Sequence, residues 1–160
     1  GRAHVRVDAH VAIDDLADRS HEADVLLDPS LWPDAAARYA ALLRGGTLRL
    51  LGPAHALLRP EFAARRATLA RRDGTIRRVL VTFGGSDPGH HTARAVEALR
   101  SIAAPLAIDV VLGPSHADPD RVVGLCADDP RFQVHRPARD MAGLMAAADF
   151  FVGAGGTTSW

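Results

Sequence analysis

Lysine and asparagine are absent from the 160 residues, so all 19 basic residues are Arg. Without Lys there is no lysine-bearing phosphate loop, and the bias itself fits GC-rich codon usage rather than a chemical device. Net charge is absent as well, since 19 acidic residues balance the 19 Arg. No long-range field steers the chain to nucleic acid or an anionic membrane, so any phosphate it binds must be held by local groups. Cysteine is limited to Cys126, which excludes an internal disulfide. Its neighbours Val122, Val123 and Leu125 predict a small buried residue on a helix, compatible with a reducing cytoplasm, the expected compartment. No apolar run approaches the ~20 residues of a membrane span, and no secretory signal is visible. The eight His residues form no helical His-x-x-x-His pattern and no pairing with Cys, so neither a metal nor another cofactor is expected. A Gly-x-Ser-x-Gly elbow is also missing, and covalent catalysis has no candidate nucleophile.

What is present suits a soluble α/β protein, with 48% hydrophobic residues for a core and 24% charged residues for a surface. The second half alternates apolar runs with segments of helical period. The runs at Val79 to Phe83, Ile108 to Leu112, Phe132 to Val134 and Phe150 to Val152 predict buried parallel strands. Between them, Ala95, Val96, Leu99 and Ile102 form one helical stripe, Val122, Leu125 and Cys126 a second, and Met141, Leu144, Met145 and Ala148 a third. Asp118 ahead of Pro119, and Asp140 ahead of Met141, supply helix caps. Stacked strand-helix units predict a doubly wound sheet with its ligand crevice at the carboxyl ends of the strands.

The first half is less regular. His10 to Ile13, Val25 to Leu27 and Leu48 to Leu51 predict strands, and Ala36, Tyr39, Ala40 and Leu43 a helical stripe. Pro60 and Glu61 open a further helix carrying Phe62 and Leu69, and the turn Asp73-Gly74 marks a domain junction. The chain starts at Gly1 rather than Met and stops at Trp160, soon after a strand. It therefore reads as a truncated sequence holding two incomplete Rossmann-like domains, the end of one over 1–72 and the start of a nucleotide-binding one over 73–160.

Three segments can carry chemistry. Gly153-Ala154-Gly155-Gly156-Thr157-Thr158-Ser159 follows a predicted strand, where glycines admit a phosphate to the backbone and hydroxyls add donors without positive charge. An ordinary strand-to-helix turn rich in small residues has the same composition. Phe83-Gly84-Gly85-Ser86-Asp87-Pro88 is a second strand-end loop, with Gly84, Gly85 and Ser86 as ligand contacts, although Gly, Asp and Pro also form plain turns. Asp14-Asp15-Leu16-Ala17-Asp18-Arg19 holds the densest carboxylates of the first half. Asp14 and Asp15 can orient a sugar or a water; equally, Asp15 can cap a turn and Asp18 can pair with Arg19 in solvent.

Taken in order, AIDDLADRSHEADVLLD, LLGPAHALLRPEF, VLVTFGGSDPG, DMAGLMAAADF and GAGGTTSW resemble the UDP-2,4-diacetamido-2,4,6-trideoxy-β-L-altropyranose hydrolases of pseudaminic acid biosynthesis. The last two segments are shared more loosely with the glycosyltransferase that forms lipid II. The resemblance implies a GT-B architecture, two Rossmann-like domains across a cleft, and metal-free hydrolysis of a UDP-sugar by water attack at the anomeric carbon. It implies that Gly155, Gly156, Thr157, Thr158 and Ser159 grip the diphosphate and that Arg139 to Met141 lie near the uracil. It also implies that the His activating the water sits in an N-terminal Gly-rich loop not found in these residues, so none of the eight His inherits that role. Departures include Pro29-Ser30 in place of Gln-Asn, His55 where Tyr is usual and His90 where Asn is usual.

The expected protein is thus a cytoplasmic UDP-sugar hydrolase whose partner is its nucleotide-sugar substrate, with no nucleic acid or membrane partner. A GT-B glycosyltransferase that passes the sugar to an acceptor, and a noncatalytic nucleotide-sugar binding module, are the alternatives. UDP release without an acceptor separates the first of these from a hydrolase.

Overall fold

A computed structural model describes residues 8–156, in two compact units that divide between Leu58 and Arg59. Both are α/β with parallel strands, compatible with Rossmann-like domains.

The first unit has a three-stranded sheet in the order β1 (Val11–Ile13), β2 (Val25–Asp28), β3 (Leu48–Leu51). Leu26, Leu27, Ala23 and Tyr39 form its buried interior. Helix α1 (Ala35–Arg38) is a single turn. The longer stripe expected through Leu43 does not form as a helix: the chain leaves the helical path at Tyr39, whose hydroxyl lies between the carboxylates of Asp14 and Asp28. A short 3-10 turn at Pro53–His55 follows β3.

The second unit begins with α2 (Pro60–Ala67), which opens on Pro60 as expected and packs beside α5 (Met141–Ala147). Arg65 reaches Asp140 at 3.1 Å, and Arg72 donates to the carbonyl of Ala146 at 3.2 Å. The division of the chain therefore falls ahead of α2 rather than at the Asp73-Gly74 turn that follows it.

The sheet of this unit runs β6 (Phe132–His135), β5 (Ala107–Val111), β4 (Arg78–Thr82), β7 (Phe150–Gly153). Helices α3 (His91–Arg100) and α4 (Pro119–Cys126) cover one face, packing Val96, Leu99, Val122 and Cys126 against Val79, Val81, Ile108 and Val110. The other face packs Leu80 and Val111 against Met141, Leu144, Met145 and Ala148. Full burial of one such aliphatic side chain contributes about 1.5–3 kcal/mol, so this two-faced core dominates the fold. Both predicted caps form: Asp118 accepts from the Arg121 amide at 3.2 Å and Asp140 from the Gly143 amide at 2.7 Å. Ile102 and Leu69, expected on helical stripes, lie beyond their helix ends and are exposed.

Candidate functional site

The order of the second sheet locates a crevice. From β4 the chain steps outward to β5 and β6, then returns across the sheet so that β7 lies on the opposite side of β4. Strand order reverses between β4 and β7, and in open parallel sheets the carboxyl ends at such a reversal are where ligands bind. Thr82 pairs with Gly153 in the last register position, so both strands end at the same level. The two glycine-rich loops singled out in the sequence leave from these neighbouring ends.

Close packing requires glycine at the base of the second loop. A Cβ on Gly153 would overlap the Thr82 carbonyl oxygen and the Phe151 ring. Gly84 has φ +84, a left-handed value at the turn out of β4 that L side chains rarely adopt. Above them Gly85, Ser86, Gly155 and Gly156 are exposed, and no heavy atom of the described residues lies within 4 Å of a Cβ built on Gly84, Gly85, Gly155 or Gly156. The amides of Gly84, Gly85 and Ser86 donate to no acceptor among the described residues. Unpartnered amides facing open space can bind an anion without any cationic side chain. Thr157, Thr158 and Ser159, expected to complete the second loop, lie outside the described residues.

Helix α3 makes a different use of its amino end. Asp87 is buried at 3% exposure, and its carboxylate accepts from the amides of His91 at 2.9 Å and Thr92 at 2.8 Å. Burial by itself would push the Asp87 carboxyl up, but the bonds from Thr92 and His91, with His116 nearby, hold it below the ordinary range. The first amides of α3 are thus taken by the protein, and the free donors are those of the loop before it.

Arg139 lines an open groove of about 650 Å³ together with Arg65, Arg78, His135, Arg136 and Asp140, whereas Met141 packs into the core against Leu80. Most of the groove's charge is neutralised: Arg65 pairs with Asp140 at 3.1 Å and Arg136 with Asp120 at 3.2 Å. Arg78 and His135 both bind the buried carboxylate of Asp109, at 2.9 and 2.8 Å.

In the first unit Asp14 and Asp15 separate. Asp14 is buried, and its carboxylate accepts from the amides of Leu16 at 3.3 Å and Ala17 at 3.1 Å, closing the turn after β1. It also lies 3.1 Å from His21 Nε2 and 3.2 Å from the Tyr39 hydroxyl, which in turn is 3.1 Å from Asp28. Burial works against the charged form of Asp14, yet these hydrogen bonds lower its pKa. Burial, with Asp28 and Asp14 beside it, pushes the Tyr39 phenol well above its usual range. Asp15 is exposed, and it is its carbonyl, not its carboxylate, that accepts from Arg38 at 3.3 Å. The turn-forming residue is therefore Asp14 rather than Asp15. Asp18 and Arg19 make the solvated pair, at 3.4 Å. Among the described residues no three His, Cys, Asp or Glu side chains are grouped to hold a metal ion, and no helix is long and apolar enough to cross a membrane.

Sequence reasoning passed over Tyr39, Asp28 and His116. Asp87 carried a local signal, an Asp a few residues ahead of a helix. The other three also act through residues distant in the chain: Tyr39 reaches Asp14, Asp28 meets Tyr39, and His116 lies against Asp87.

No protein-family model matches the chain. It is 31% identical over 117 residues to the uncharacterized protein MJ1062 of Methanocaldococcus jannaschii, a match covering 70% of this chain and 24% of that protein. The chain thus spans about a quarter of the length of the curated relative it matches.

Proposed function

We propose that the protein is a UDP-sugar hydrolase of GT-B architecture, which releases UDP from a diacetamido-trideoxy sugar in nonulosonic acid biosynthesis. The observation that carries the reading is the pair of glycine loops on neighbouring strands at the reversal of strand order. A crevice edged with amides that lack acceptors among the described residues suits a diphosphate, because such donors need no cationic side chain. The five ordered segments then favour a UDP-sugar over other nucleotides.

In this reading the amides of Gly84, Gly85 and Ser86, with Gly155, Gly156, Thr157, Thr158 and Ser159, hold the diphosphate. As the anomeric C–O bond breaks, negative charge grows on the leaving phosphate oxygen, and fixed donors there lower the barrier. Water attacks the anomeric carbon, and its proton passes to a His in the Gly-rich loop that the resembled family carries ahead of these segments. Asp14 acts indirectly, by holding the loop after β1. Arg139 and the backbone up to Met141 are placed at the base.

The decisive experiment incubates the full-length gene product with UDP-2,4-diacetamido-2,4,6-trideoxy-β-L-altropyranose and no acceptor. UDP and free sugar are expected in equal amounts. Tight UDP binding without release unless an acceptor is added would replace hydrolysis by transfer, and absence of UDP binding would remove the nucleotide-sugar reading altogether.

A further inference from the structure

The loop after β5 is fastened to the loop after β4 by two backbone hydrogen bonds and one close backbone approach. The Ser115 amide donates to the carbonyl of Gly85 at 3.1 Å, and the Ala117 amide to the carbonyl of Ser86 at 2.9 Å. Gly113 sits so close beneath them that a Cβ there would overlap the Gly85 backbone and the Gly84 carbonyl oxygen.

These two bonds determine where the free amides point. None of the described peptides is cis. In a trans peptide the C=O of one residue and the N–H of the next point in opposite directions. With the carbonyls of Gly85 and Ser86 turned toward the β5 loop, the N–H groups of Ser86 and Asp87 are turned away from it. The neighbour of β4 on that other side is β7, the second strand of the crevice.

His116 stands at the centre of this fastening. Its side chain is 2% exposed and lies against Asp87, with Nε2 3.5 Å from Oδ2 of a carboxylate that is 1% exposed. Nδ1 accepts from the Asp118 amide at 3.2 Å, so in the neutral ring the proton is on Nε2, facing Asp87. At this separation Nε2 lacks a full hydrogen bond. A buried N–H left without one costs about 1–3 kcal/mol, which a purely structural apolar ring would avoid. One imidazole thus spans the caps of two helices: Asp87, which binds the first amides of α3, and Asp118, which binds the Arg121 amide of α4.

We propose that His116 is a positioning residue, which locks the β5 loop against the β4 loop so that the exposed Ser86 amide faces the β7 side of the crevice as a preformed donor to a phosphoryl group. Its part in substrate binding rests on the nucleotide-sugar reading; the fastening of the loops does not.

The test is amide hydrogen exchange on the protein, with UDP affinity measured alongside by calorimetry. In the unsubstituted protein the amides of Ser115 and Ala117 are expected to be protected. In His116→Phe, which keeps a ring but removes both nitrogens, their exchange is expected to rise about tenfold, and UDP affinity to fall about tenfold, while the amides of β4 and β5 stay protected. His116→Gln, which retains a donor, is expected to recover affinity to within about threefold. Should His116→Phe fail to fold, Gly113→Ala, which pushes the two loops apart, is expected to give the same paired loss. Protection and affinity that stay within about twofold in the folded variant would overturn the proposal, as would Ser115 and Ala117 amides that exchange freely in the unsubstituted protein. Protected amides in a protein that binds no UDP would leave the fastening intact and remove the nucleotide-sugar reading instead.

Discussion

Each unit ends its parallel strands in polar groups, and the two ends are built in opposite ways. In the first unit the groups are side chains that satisfy one another: Asp14, Asp28, Tyr39 and His21 form a closed cluster, with Tyr39 and Asp28 fully buried. In the second unit the groups are backbone amides, without acceptors among the described residues and bordered by glycines with open space above. A closed cluster adds stability and fixes a loop. An open one adds no stability until something binds, and its geometry must come from elsewhere, here from Asp87 below it and the β5 loop beside it.

The largest effect that sharpens this contrast is expected from Tyr39→Phe. Removing the hydroxyl leaves two buried carboxylates without their shared donor, so denaturant unfolding should show a loss of about 2–3 kcal/mol. UDP binding is expected to survive where the protein remains folded. Asp87→Ala touches the open end. It uncaps α3 and frees the His91 and Thr92 amides, and a loss of about 1–2 kcal/mol is expected in the same assay.

Acid separates the two ends less sharply, because each holds one carboxylate whose pKa is lowered, Asp14 in the first unit and Asp87 in the second. The folded protein gives up these protons more readily than the unfolded chain does, where Asp titrates near pH 4. Their contribution to stability is therefore complete above about pH 4 and is lost as pH falls through the lowered values. Urea midpoints measured from neutral pH downward should fall in that range, and less steeply in Asp87→Asn. The smallest effect on stability is expected from Gly85→Ala. Its Cβ meets no atom within 4 Å, so unfolding should shift by less than about 0.5 kcal/mol. The methyl group nevertheless occupies the space that the proposed function assigns to a diphosphate, and on that proposal UDP affinity is expected to fall about tenfold. Unchanged affinity would break the comparison by showing the open end to be empty of function.

Much of the second unit was legible in the sequence. Its strands form within a residue of the predicted runs, and β4 and β5 are buried as their continuous apolar stretches imply, whereas β7, expected to be buried as well, leaves Phe150 and Phe151 exposed at one end of the strand order. Its caps follow from Asp118-Pro119 and Asp140, which act over three residues. The first unit was legible in its strands but not in its helix, because the fate of Tyr39 depends on Asp14, 25 residues away. Both glycine loops were visible as strings of small residues. That two such loops can line one cleft followed from a doubly wound sheet; that their strands are immediate neighbours did not, because β4 and β7 are separated by two others in the chain.

By itself, then, the sequence determined the α/β alternation, the sites of the caps and the absence of a net charge. These are local or additive properties, set by periodicity and composition. The tertiary structure decided which strand ends meet, which amides remain free, and which side chains, His116 and Tyr39 among them, hold a loop in place. Such outcomes depend on pairings between residues far apart in the chain, and it is sheet order that brings those residues within hydrogen-bond reach.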